Sequence, residues 1–159
     1  MCRMLYLGAD RPLPLRDGTI REPGLRISPL NPAAEEIIRV LAAMPYRYYV
    51  TTESGCACGF HYEDRADLEQ TLADIPEPDK TRLRDRWEEE YQTVQALSTY
   101  LAEQRAIGPL LLYHLAQLDR QDDEVVDTPD LTPQPLHPSS FGGPSFALPS
   151  EDRVFTILP

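Results

Sequence analysis

Cys56 and Cys58 stand one residue apart between Gly55 and Gly59, and His61 follows closely behind them. Thiolates are soft ligands, so a Cys-x-Cys pair can chelate one soft or borderline ion such as zinc, copper(I) or the iron of an iron–sulfur centre. The flanking glycines let the backbone fold tightly around such an ion. A closed zinc site wants four ligands. His61 can offer a third and Cys2, the remaining cysteine of the chain, a fourth. The expected metal set is therefore Cys2, Cys56, Cys58 and His61. A single C-x-C is a less specific signal than paired C-x₂-C units. Two other readings of the same residues stand beside it. The thiols could do redox or nucleophilic chemistry, which needs a solvent-reachable thiolate, or they could be structural, since cysteine packs well as a small buried hydrophobe.

Cys2 has a further reading. Once an initiator methionine is trimmed, an N-terminal cysteine carries its own amine as a potential base. The opening Met1-Cys2-Arg3-Met4-Leu5 is similar to the start of N-terminal-nucleophile glutamine amidotransferases. That likeness is confined to those residues, and no partner motif for ammonia chemistry accompanies it.

For one centre to form, Cys2 must meet a loop more than fifty residues away. The apolar run Cys2–Gly8 is short and closed by glycine, which predicts a buried strand. Tyr46–Thr52, β-branched and aromatic, predicts a second strand that delivers the chain to the cysteine loop. If these strands pair antiparallel, the start of one meets the end of the other. Between them, Pro12, Pro14, Pro23 and Asp17-Gly18 mark a surface loop, and Leu25–Ser28 reads as a short strand. Asn31-Pro32 opens a predicted helix through Met44, with Pro45 as its stop.

Beyond His61, Leu68, Leu72 and Ile75 share one face of an acidic amphipathic stretch over 63–80. Pro78 opens the longest helix, which runs to about Ala106 before Gly108-Pro109. Leu83, Trp87, Tyr91, Val94, Leu97 and Leu101 recur in it at steps of three and four, marking a core-facing stripe rather than the wall of a binding site. Leu110–Leu118 and Arg153–Leu158 are strand candidates, and Val125-Val126 a possible return strand. His114 shares the Leu110, Leu112 and Ala116 face and reads as a core or interface histidine, and neither it nor His137 shows partner spacing. Glu88–Glu90 and Asp122–Glu124 read as a solvated helix face and a turn. The element order predicts an α+β fold, with a mixed or antiparallel sheet packed by one long and two shorter helices. Residues 1–127 and 150–159 form the expected single domain, with the Pro-rich stretch 128–149 laid over it irregularly.

The formal net charge of −11 over 159 residues argues against nucleic acid, because phosphate binding needs a cationic surface. It equally disfavours anionic membranes. No apolar run is long enough to span a bilayer, and the N-terminus lacks the pattern of a secretion signal. With three cysteines, which cannot all pair within one chain, a cytoplasmic location is expected. A third reading is an interaction module that uses the Pro-rich stretch as a ligand for a protein partner.

Met1–Tyr6, Tyr48-Tyr49-Val50 and Gly55-Cys56-Ala57-Cys58-Gly59-Phe60 together resemble the matching segments of a group of small bacterial proteins. The likeness extends weakly to the strand after Gly108 and to Val154-Phe155-Thr156, and it implies no particular activity.

Overall fold

The computed structural model describes residues 2–18, 24–31, 41–53, 55–117, 132–143, 145–147 and 153–159. Strands β1 (Cys2–Ala9), β2 (Arg16–Asp17), β3 (Arg26–Pro29) and β4 (Tyr46–Thr51) are followed by the short β5 (His61–Tyr62). Helices α1 (Arg65–Leu72) and α2 (Glu77–Arg105) come next, then β6 (Leu110–Gln117), β7 (Gln134–Leu136), a 3-10 turn (Pro138–Gly142), β8 (Phe146–Ala147) and β9 (Arg153–Ile157). Seven strands form one sheet in the order β2-β3-β4-β1-β6-β9-β7, and β5 pairs with β8 in a separate two-stranded ribbon. All pairings are antiparallel except β7 with β9, so the main sheet is mixed.

This is the α+β architecture with a mixed sheet that the element order implied, with two helices among the described residues, one of them long. The helix expected from Asn31-Pro32 lies largely outside the described residues, as do the Val125-Val126 strand and the Asp122–Glu124 turn. The Pro-rich stretch 128–149 departs from the irregular coil expected of it. Its described residues supply β7, the 3-10 turn and β8. Pro135 is tolerated in β7 because that strand is the sheet edge, where a missing N–H costs no ladder bond.

Strand alternation divides the sheet into two faces. Leu5, Leu7, Val50, Leu112 and Ile157 are buried toward α2, which contributes Val94, Leu97, Tyr100 and Leu101. Tyr6, Tyr113 and Val154 face the other way and pack with Leu30 and Leu41. On that second face Tyr49, Tyr6 and Tyr113 stand directly across from one another on β4, β1 and β6. Burial, with the neighbouring Tyr49 and Tyr113 phenols adding, pushes the Tyr6 phenol well above its ordinary range.

Helix α2 follows from its ends and its stripe. Pro78 lies in the first turn beside Glu77 and Asp79, and Arg105 closes the last, each sign suiting the helix dipole. Trp87 and Tyr91 are partly buried against the core, as their spacing predicts. Helix α1 is shorter than the 63–80 stretch foreshadowed. Asp64 caps it by accepting the Ala66 N–H at 2.7 Å, and only Leu68 and Leu72 are buried. The chain then turns through Ala73–Ile75 into α2, and Arg84 grips Glu69 with two bonds of 3.0 and 2.7 Å.

Candidate functional site

The cysteine loop begins where β4 ends, and Thr52 holds it shut. The Thr52 N–H donates to Cys56 O at 2.8 Å and its hydroxyl donates to the same oxygen at 3.0 Å. In return Thr52 O accepts the Gly55 N–H at 2.9 Å. The two glycines serve different ends. Gly55 has φ of +81°, with open space where a Cβ would stand, so its role is conformational. A Cβ on Gly59 would lie 2.9 Å from Thr52 Cγ2, so glycine there permits a close approach. Ala57 and Phe60 are fully buried and joined by a Phe60 N–H to Ala57 O bond of 3.1 Å.

Ala57 points into the core, and the cysteines on either side of it lie toward solvent. Cys56 is half-buried and Cys58 exposed. The Cys58 N–H donates to Cys56 Sγ at 3.3 Å. An amide aimed at sulfur favours a sulfur that carries negative charge, either as thiolate or as metal ligand.

Cys2 opens β1. The register runs from Leu5 opposite Val50 to Ala9 opposite Tyr46, antiparallel as expected. The start of β1 therefore lies at the end of the sheet where β4 leaves for the thiol loop. On its other side Cys2 sits across from Gln117 of β6. The Cys2 side chain is outside the described residues.

His61 takes a different position. It starts β5, opposite Ala147, and its Nδ1 is 4.0 Å from Glu90 Oε2 on α2. That distance permits attraction when the imidazole is protonated, but it is too long for a hydrogen bond. Among the described residues, no group of three or more His, Cys, Asp or Glu side chains is gathered closely enough to hold a metal ion. The described site thus consists of the two loop thiols, with His61 apart from them. Of the other histidines, His114 is buried on β6 and His137 is exposed.

Two clefts open on the described surface. One of about 550 Å³ runs along α2, between Tyr91, Ala96 and Tyr100 on the helix, Arg16 on β2 and Leu25 just before β3. The Arg16 guanidinium lies 6.0 Å from the Tyr100 ring, whose hydroxyl donates to Pro14 O at 2.8 Å. Burial raises the Tyr100 phenol well above its ordinary range. The other, about 510 Å³, is lined by His61, Tyr62, Glu63, Asp64 and Asp67 with Ser145 and Phe146.

Thr52 is the residue that sequence reasoning missed. It reads as the last β-branched residue of a strand, and nothing in its type signals a clasp four residues long. The α2 cleft was equally hidden, because Arg16 and Leu25 reach it from a hairpin far off in sequence. Comparison with family models, curated proteins and solved structures finds no match to this chain. Among the described residues no helix is long and apolar enough to cross a membrane.

Proposed function

We propose that the loop from Thr52 to Phe60 binds one soft or borderline metal ion, zinc foremost, through the thiolates of Cys56 and Cys58. Copper(I) and iron suit the same donors. The observation that carries this reading is the Cys58 N–H donated to Cys56 Sγ at 3.3 Å, within a loop whose thiols lie on its solvent side. The β1–β4 register supports Cys2 as a third ligand. His61, seated against Glu90, is left outside the proposed set. The same reading takes the protein to work in the cytoplasm, where thiols stay reduced, and to leave nucleic acid unbound on account of its acidic surface.

Elemental analysis of protein purified under reducing conditions without chelator tests this. One equivalent of zinc, copper or iron is expected, lost when both Cys56→Ser and Cys58→Ser are introduced and lowered by Cys2→Ser, with folding unaltered. Protein free of metal, or a double variant that retains it, would refute the site. With three shared thiolates bound to zinc, the sulfurs should lie within about 4 Å of one another.

Exposure of Cys58 favours a second reading, a reactive thiol without metal. It requires rapid alkylation of Cys58 by iodoacetamide near neutral pH. Slow modification of every cysteine in metal-free protein counts against it.

A further inference from the structure

The cleft along α2 has fixed walls. The Tyr100 hydroxyl donates to Pro14 O at 2.8 Å, and a Cβ on Gly24 would lie 2.8 Å from Thr93 Oγ1. The chain is therefore held against the helix on both sides of β2. The Tyr91 ring is set just as firmly, stacked on Trp87 at 5.2 Å and edge-on to Tyr62 at 5.1 Å. Leu25, Ala96 and Tyr100 continue the apolar lining. At about 550 Å³ the cleft has the size of sites that hold small organic molecules. Walls ordered in advance lower the entropy cost of binding one.

The lining repeats one arrangement twice along the helix. Glu88 stands three residues before Tyr91 and Glu103 three after Tyr100, so each ring has a carboxylate for a neighbour on its helix face. The two pairs differ in charge. Beside Tyr100 the chain supplies its own cation, the Arg16 guanidinium, 6.0 Å from the ring. Beside Tyr91, Glu88 accepts the Gln92 side-chain N–H at 2.9 Å. Among the described residues no Arg, Lys or His lies within ion-pair distance of Glu88.

From this we infer that the cleft binds a small organic cation, a primary ammonium group on an apolar body. The ammonium is held by Glu88 beside Tyr91, and the body lies across Leu25 and Ala96 toward Tyr100. Arg16 already stands at the ring of the Tyr100 end, which leaves one cationic group to the ligand and makes it a monocation rather than a diamine. The net charge of −11 draws such a cation from solution. The site is separate from the thiol loop and does not depend on metal there.

The test titrates the full chain with three probes that carry the same ring and differ in the charge of the head group: phenethylammonium, phenethyl alcohol and phenylacetate. Affinity is read by calorimetry and the place of binding by the methyl NMR signals of Leu25 and Ala96. Phenethylammonium should bind and shift both signals, with the alcohol about fivefold weaker and phenylacetate weaker still. Glu88→Gln should lower the affinity for the cation about fivefold, to that of the alcohol, with far-UV circular dichroism unchanged. Glu103→Gln should change it by less than about twofold. Equal affinity for the three probes, or a preference for phenylacetate, would overturn the charge selection. No saturable binding of phenethylammonium, binding that leaves Leu25 and Ala96 unshifted, or a Glu88→Gln variant that binds it as the wild type does would overturn the site.

Discussion

The thiol loop and the aromatic cluster that follows it are joined at Phe60, yet they are held in opposite ways. In the loop the backbone and Thr52 supply hydrogen bonds, with Cys56 half-buried and Cys58 exposed. In the cluster the side chains do the holding. Tyr62 is buried with its ring edge-on to Tyr91 at 5.1 Å and to Trp87 at 6.0 Å. Trp87 and Tyr91 stack on each other at 5.2 Å, and Phe146 bridges from Tyr62 to Phe141. The Tyr62 hydroxyl donates to Gly143 O at 2.7 Å, with Phe141 O also near at 3.1 Å. Reactive groups can be altered in the first region without touching what folds it. In the second, almost any change of side chain is a change of packing.

The largest effect should come at the residue both regions share. Phe60→Ala removes a fully buried ring and should cost about 3–5 kcal/mol, measured by urea unfolding, with loop and cluster lost together. A loss below about 1 kcal/mol would mean that Phe60 anchors neither region.

Tyr62→Phe isolates the polar part of the cluster. Losing the hydroxyl should cost about 0.5–1.5 kcal/mol. Burial, chiefly, and the adjacent Tyr91 phenol raise the Tyr62 phenol above its ordinary value. Since it is the folded form whose value is raised, the associated stability is present below about pH 10 and is lost as pH climbs through the titration. Stability profiles of the wild type and Tyr62→Phe should therefore converge in alkali. Parallel profiles would show that the phenol does not titrate as its burial requires.

Thr52→Val is the smallest and sharpest probe of the contrast. It keeps the shape that packs on Gly59 and removes the hydroxyl, with its bond to Cys56 O. About 1 kcal/mol is expected, accompanied by weaker zinc binding, while Thr52→Ser should bind as the wild type does. Zinc titration that fails to separate Val from Ser would show that the clasp does not position the thiols.

Much of this fold could be read from residue types. Pro78, the Val94–Leu97–Leu101 spacing and Gly108-Pro109 bound α2 almost to the residue, because capping and periodicity are local effects that few tertiary contacts override. The apolar runs at 2–8, 46–52 and 110–118 became β1, β4 and β6, at the middle of the sheet, where both faces are covered and the pattern is strongest. Short edge elements were less legible. Gln134–Leu136 contains proline and has no apolar alternation, and it becomes a strand only because β9 offers a free edge to pair with. The ribbon of His61–Tyr62 with Phe146–Ala147 likewise exists only once residues far apart in sequence are brought together.

The candidate site divides along the same line. Chain chemistry alone set two thiols one residue apart between glycines, because ligand type and spacing are local properties. Antiparallel pairing of β1 with β4 follows from what the thiol centre requires, since only then does the start of one strand meet the end of the other. The positions of His61 and Thr52 were decided only by packing. Tyr62 is drawn inward by Trp87 and Tyr91, and strand alternation then turns His61 toward Glu90 rather than back to the cysteines. Thr52 becomes a clasp because Gly59 returns so close to it that a Cβ there would lie 2.9 Å from Thr52 Cγ2. That distance is set by how Ala57 and Phe60 seat in the core, and no local rule of sequence contains it.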